Sequence, residues 1–108
     1  MEFDRYFVVL LKKGPVWTPE SSHELDALQE SHQAHIQKMA DTGKMAIAGP
    51  LDAHTNPDLR GINIYYYDAF TSLEELKELV EQDPMIRIGR LTADYLTWYV
   101  PKGANFAR

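Results

Sequence analysis

The sequence predicts an α+β fold of the ferredoxin-like kind: β-α-β-β-α-β, a four-stranded antiparallel sheet with two helices on one face. Three observations predict it. Residues 20–42 and 71–84 carry helical periodicity. Four short runs rich in β-branched and aromatic residues surround them in the order strand, helix, strand, strand, helix, strand. No linker, repeat or low-complexity stretch interrupts the order, so residues 1–108 read as a single domain.

The first run, "RYFVVLLKK", is apolar with charged flanks and reads as a buried strand. "GPVWTPESS" follows as a loop, marked by glycine and prolines. The first helix then runs from about Glu20 to Thr42, with Gly43 as its C-terminal cap. "KMAIAGPL" is the second strand, stopped by Gly49-Pro50, and "DAHTNPDLRG" is a polar turn region. "INIYYYD" is the third strand. In "TSLEELKELVEQDP", Ser72 and Glu75 match a capping box. Leu73, Leu76 and Val80 form the apolar stripe of that helix, and Pro84 ends it. "MIRIGR" allows a short helical turn, and "ADYLTWYV" is the fourth strand.

The balance of 11 Lys and Arg against 16 Asp and Glu opposes sequence-independent nucleic-acid binding, which needs cations to neutralise phosphates. The absence of cysteine excludes disulfides, thiolate metal sites and a cysteine nucleophile. No run approaches the roughly 20 apolar residues of a membrane span, and the start resembles no secretory leader, so the expected location is the cytoplasm. Phosphate cradles of the GxGxxG or P-loop type are absent, as is a G-x-S-x-G elbow.

With both helices on one face, the other face carries Tyr65 and Tyr67, or Trp98, depending on register. That much bare aromatic surface predicts a homodimer packed sheet to sheet about a twofold axis. Its alternative is a monomer with a partly exposed aromatic face. Trp17, Trp98 and the tyrosines 65–67 are read as core and interface residues in preference to an aromatic cleft.

On a helical wheel, Leu25, Leu28, Ile36 and Met39 share one arc, His32 lies near its centre and His35 near its edge. His32 therefore points inward, where a polar ring needs a partner. Asp83 continues the inward stripe of the second helix at its C-terminus, an unfavourable place for a carboxylate by about 0.3–1 kcal/mol. An imidazolium across the groove would offset that. A carboxylate fixes an imidazole's tautomer and raises its basicity, which suits general acid/base work. The competing reading is that Asp-Pro merely stops a helix and His32 is a satisfied core residue. The i, i+3 histidine pair lacks the HExxH pattern, so no metal site is expected, and His23, His35 and His54 are read as solvated.

"SHQAHIQKMADTGKMAIAGPL" and "SLEELKELVEQDPMIRIGRL" resemble the two halves of YciI-like (YCII-related) proteins. His32, Gly43 and Ala48-Gly49-Pro50 meet the spacing of the first half, and Asp83, Pro84 and Gly89 that of the second. "GPVWTPE" and "WYVPKGANF" look like the flanks of one branch of that family. The resemblance implies a dimeric α+β barrel and places His32 and Asp83 at the family's His-Asp pair; His35 is not part of that pattern. Relatives include a dehydrochlorinase acting on a chlorinated hydroxyhydroquinone. Such examples point to proton transfer on small, often cyclic or aromatic compounds, and fold analogy alone does not name a reaction.

The expected function is therefore a small cofactor-independent enzyme of lyase, isomerase or dehydrochlorinase type. His32, oriented by Asp83, would move a proton in a pocket between helices and sheet. Gly49 and Pro50 would let the backbone approach the substrate, and Tyr66 or Trp98 would line the cleft. The rivals are a non-catalytic dimeric module that holds a small metabolite, and a heme- or metal-dependent oxygenase on the same fold.

Overall fold

The computed structural model describes residues 2–103. The end of the "WYVPKGANF" segment, from residue 104 on, lies outside them. The elements are β1 (Phe3–Lys13), α1 (His23–Asp41), β2 (Met45–Pro50), β3 (Leu59–Tyr66), α2 (Leu73–Val80), α3 (Pro84–Arg87) and β4 (Leu91–Pro101), with a 3-10 turn at Tyr67–Ala69. The strands form one antiparallel sheet in the order β2-β3-β1-β4, the ferredoxin-like topology expected.

Local chemistry sets the boundaries. α1 begins at His23, later than the pattern implied, because the Ser22 hydroxyl caps it by accepting the Leu25 N–H at 3.1 Å. It ends where Gly43 adopts φ +77°, a conformation that glycine reaches without a Cβ penalty. α2 starts at the cap expected for it: Ser72 Oγ accepts the Glu75 N–H at 3.2 Å. Glu75 reaches back one residue further than in a simple capping box, accepting from the Thr71 N–H and hydroxyl. The third strand is shifted. It runs Leu59–Tyr66, and Tyr67 and Asp68, expected within it, turn away in the 3-10 segment.

The register decides what each face carries. Phe7, Val9 and Leu11 of β1 and Tyr65 of β3 face the helices and pack with Met39, Leu76, Val80, Met85 and Leu91. Tyr6, Val8, Ile64, Tyr66 and Val100 form a second cluster on the other face. Tyr6 is the partner of both Tyr66 and Trp98 across the sheet, and its ring lies 6.1 Å from each of theirs. Trp98 is thus on the open face as one register required, whereas Tyr65 and Tyr67 belong to the helix side. Ile47, Leu96 and Trp98 are exposed.

α1 sits less deeply than its apolar arc implies. Met39 is buried, but Leu25, Leu28 and Ile36 are only half-buried. A cavity lies between that arc and the sheet.

Candidate active site

The cavity has a volume of about 550 Å³, within the range that takes a small organic ligand. His32, Gln29, Gln33 and Ile36 of α1 form one wall. Ala48, Gly49 and Pro50 of β2 and Gly61 and Asn63 of β3 form another. The segment from Trp17 to Glu20, with Arg60 and Arg90, forms the remaining wall and covers that side of it.

His32 and Asp83 meet here. The imidazole Nδ1 is hydrogen-bonded to Asp83 Oδ2. The Asp83 side chain is 2% exposed and that of His32 14%, so His32 lines the cavity while Asp83 is buried behind it. Asp83 is fixed on every side. Its other oxygen, Oδ1, accepts the Met85 N–H at 2.9 Å. Its backbone N–H donates to the Val80 carbonyl, and its carbonyl accepts from Ile86 and Arg87.

The location of Asp83 corrects one expectation. α2 stops at Val80 and its C-cap is Glu81, so Asp83 does not lie at the negative end of that helix. It is the N-cap of α3, with Pro84 in the first turn. Pro84 starts a helix as well as ending one, because its fixed φ and missing N–H suit a first helical position. The carboxylate therefore faces a favourable helix end.

Gly49 and Pro50 line the cavity as expected. A Cβ on Gly49 would meet no protein atom within 4 Å, so no packing contact requires glycine there. Tyr66 and Trp98 are a second correction. Strand alternation puts them on the sheet face opposite the helices, among Tyr6, Val8 and Val100, and neither lines the cavity. The register with β1 explains it: Asn63 opposite Val9 and Tyr65 opposite Phe7 take the inward positions that the tyrosine run left undecided.

His35 is a third. It is half-buried, not solvated, and its Nε2 is buried with no hydrogen-bond partner among the described residues. Burial lowers its pKa; the Asp83 charge opposes this, the His32 and Lys38 charges add to it, and a hydrogen bond with the Leu79 backbone opposes it. α2 ends against α1 at this point, which the wheel of α1 alone does not reveal.

Several cavity residues escaped the sequence reading. Asn63 is buried on the helix-facing side of β3. A polar residue at a core-facing position of an alternating strand is the signal that marks it. Asn63 shares a side-chain hydrogen bond with Tyr65, whose hydroxyl pKa is pushed up to about 12, first by burial and further by the Asp83 charge, against the Asn63 bond. Arg60 and Arg90 carry no local signal, because the fold alone brings them together. Arg90 is bound to the covering segment: its guanidinium donates to the Thr18 hydroxyl at 3.1 Å and the Thr18 carbonyl at 2.9 Å. The backbones are stitched there too, Gly14 N–H to the Arg90 carbonyl and Val16 N–H to the Gly89 carbonyl. Gly14 must be glycine for this contact, since a Cβ would lie 2.1 Å from the Gly89 oxygen.

Among the described residues no group of three or more His, Asp or Glu side chains is arranged to hold a metal ion, and no helix is long and apolar enough to cross a membrane.

No curated protein matches the chain in sequence. Among solved structures it is similar to 5-chloro-2-hydroxyhydroquinone dehydrochlorinase from Burkholderia phenoliruptrix AC1100, determined in complex with 2,5-dihydroxybenzoquinone. The identity is 18%, the TM-score 0.52, and the match covers 91% of this chain and 95% of that one. At that identity the likeness is one of fold. The family assignment comes from sequence: the model of the YCII-related domain matches residues 6–97, and the chain belongs to that family.

Proposed function

We propose that the protein is a small-molecule enzyme in which His32, oriented by Asp83, transfers a proton on a small cyclic or aromatic organic compound. One observation carries this reading: a buried carboxylate is bonded to Nδ1 of an imidazole that lines a ligand-sized cavity. With Nδ1–H donated to Asp83, the lone pair is on Nε2, the nitrogen turned from the carboxylate and able to act as a base. The Met85 amide holds the carboxylate in place, so the imidazole keeps one tautomer and one orientation. Gly49 and Pro50 supply substrate-facing backbone.

The reaction class is elimination or isomerisation. In an elimination, Nε2 takes a proton from carbon or oxygen of the substrate, a bond to the leaving group breaks with its electron pair, and the imidazolium later returns the proton to water. The family and the dehydrochlorinase neighbour support this class. The imidazolium formed on His32 is stabilised by the Asp83 carboxylate.

The working unit is proposed to be a homodimer. Ile47, Leu96 and Trp98 expose apolar surface on the open sheet face, the side away from the cavity. Pairing these faces would bury it without closing the cavity.

Two measurements test the proposal. Chloride release from 5-chloro-2-hydroxyhydroquinone tests the neighbour's reaction directly. Exchange of carbon-bound hydrogen for deuterium in D2O, across a panel of small cyclic ketones and phenols, tests proton transfer without presuming the product. Activity in either that His32→Asn abolishes supports the reading. Saturable ligand binding with no exchange and no turnover replaces it with a non-catalytic metabolite-binding module.

A further inference from the structure

The cavity wall around Trp17 concentrates positive charge in a chain that is acidic overall, with 16 Asp and Glu against 11 Lys and Arg. Three of those cations surround a single indole. Lys13 Nζ is 4.1 Å from the Trp17 ring centre, the Arg60 guanidinium 5.6 Å and the Arg90 guanidinium 6.0 Å. None of the three is ion-paired among the described residues, although Lys12 and Lys44, elsewhere, are. The π face of Trp17 offsets part of the mutual repulsion and also holds the three in place. The rest is left to water or to a ligand.

Two of these cations face the cavity that His32 faces. Arg90 is held by its two bonds to Thr18 and a longer one to the Val16 carbonyl at 3.5 Å, and its Nε is buried without a partner among the described residues. Arg60 is exposed at the opening. The one carboxylate on the cavity wall, Glu20, is exposed and bonded to neither. Guanidinium groups present paired N–H donors in a plane, a geometry matched by the two oxygens of a carboxylate. A neutral ligand would leave the charge cluster uncompensated and partly dehydrated.

We infer that this wall is an anion subsite and that the cavity takes a small cyclic or aromatic carboxylate, its charged group at Arg60 and Arg90 and its carbon skeleton toward His32. The inference rests on the cavity being the functional site, as proposed above, but it does not require His32 to act as a base. It narrows the substrate class from small organic compounds to anionic ones.

The test is binding of matched acids and amides at low salt, followed by calorimetry and amide NMR shifts. Benzoate and cyclohexanecarboxylate are compared with benzamide and cyclohexanecarboxamide. The acids are expected to bind about tenfold or more tightly than the amides, the difference made by a charge-assisted bond. Arg60→Gln removes that preference and Arg60→Lys restores part of it; Arg60 is exposed, so neither change threatens the fold. Equal binding of acids and amides, binding of neither, or an unaltered preference in Arg60→Gln overturns the inference. His32→Asn separates it from the proposed reaction: acid binding that persists in this variant supports the subsite whether or not turnover exists. Proton transfer on neutral compounds with no preference for acids would leave the enzyme reading standing and remove the subsite.

Discussion

Asp83 joins two elements at once, giving one carboxylate oxygen to the imidazole of His32 on α1 and the other to the backbone amide that opens α3. The same side chain thus orients the proposed base and starts a helix. Its two duties are separable by substitution.

Asp83→Asn keeps an acceptor for the Met85 N–H but loses the charge opposite His32. Asparagine caps helices about as well as aspartate, so urea midpoints should move little. Turnover should fall roughly 100-fold or more, the scale of a positioned general base. Asp83→Ala removes both acceptors. It should lose activity similarly and also destabilise the fold by about 2–4 kcal/mol, from a lost cap together with an imidazole left without its partner.

Histidine 35 should make stability depend on pH. Its pKa in the folded protein lies below the ordinary value because burial disfavours the charged ring. In the window between the folded and unfolded pKa values the unfolded chain binds more protons, so stability rises with pH there. The stabilising contribution is present above the unfolded value of about 6.5 and is lost as pH falls through the folded one. Asp83, His32 and Lys38 all bear on this ring. The difference in urea midpoint between pH 7.5 and pH 5 should shrink in His35→Gln; an unchanged difference assigns the effect to other groups.

Two glycines should differ in their response to alanine. Gly14→Ala places a methyl against the Gly89 carbonyl at 2.1 Å and must break the contact between the covering segment and the turn after α3. A loss of about 1–3 kcal/mol is expected, as for other forced overpacking. Gly49→Ala meets open space and should stay within about 0.5 kcal/mol of the parent. Thermal midpoints of the two variants provide the comparison.

The open sheet face should control assembly. Ile47→Lys and Leu96→Glu put charge on exposed apolar positions outside both buried clusters. Sedimentation should show the proposed homodimer converting to folded monomer in each. A parent protein that sediments as a monomer at micromolar concentration rejects that part of the proposal.

The strand and helix order was readable because each segment states its own period. Ser72 with Glu75, Gly43 after Thr42, and the apolar stripe of α2 are local signals that tertiary contacts did not override. The His32–Asp83 encounter was legible as well, since each sits at an inward position of its own segment. Registers were not. A shift of one residue carries a strand's side chains to the opposite face, and pairing with Tyr6 puts Tyr66 and Trp98 on the open side. Arg60 and Arg90 were invisible for a different reason. They lie 30 residues apart in the chain, and nothing in either neighbourhood records that Trp17 stands between them.

The short helix α3 begins at the acid that steers the imidazole and is followed within a few residues by the guanidinium that grips the covering segment. One turn of backbone therefore links the His32 contact to the Thr18 contact. Substitutions that tilt this turn would shift the cavity wall at Arg90 and re-aim the proposed base together. Of the remaining walls, β2 is the one that neither Asp83 nor Arg90 grips, so changes at its cavity-facing positions leave that turn as it is.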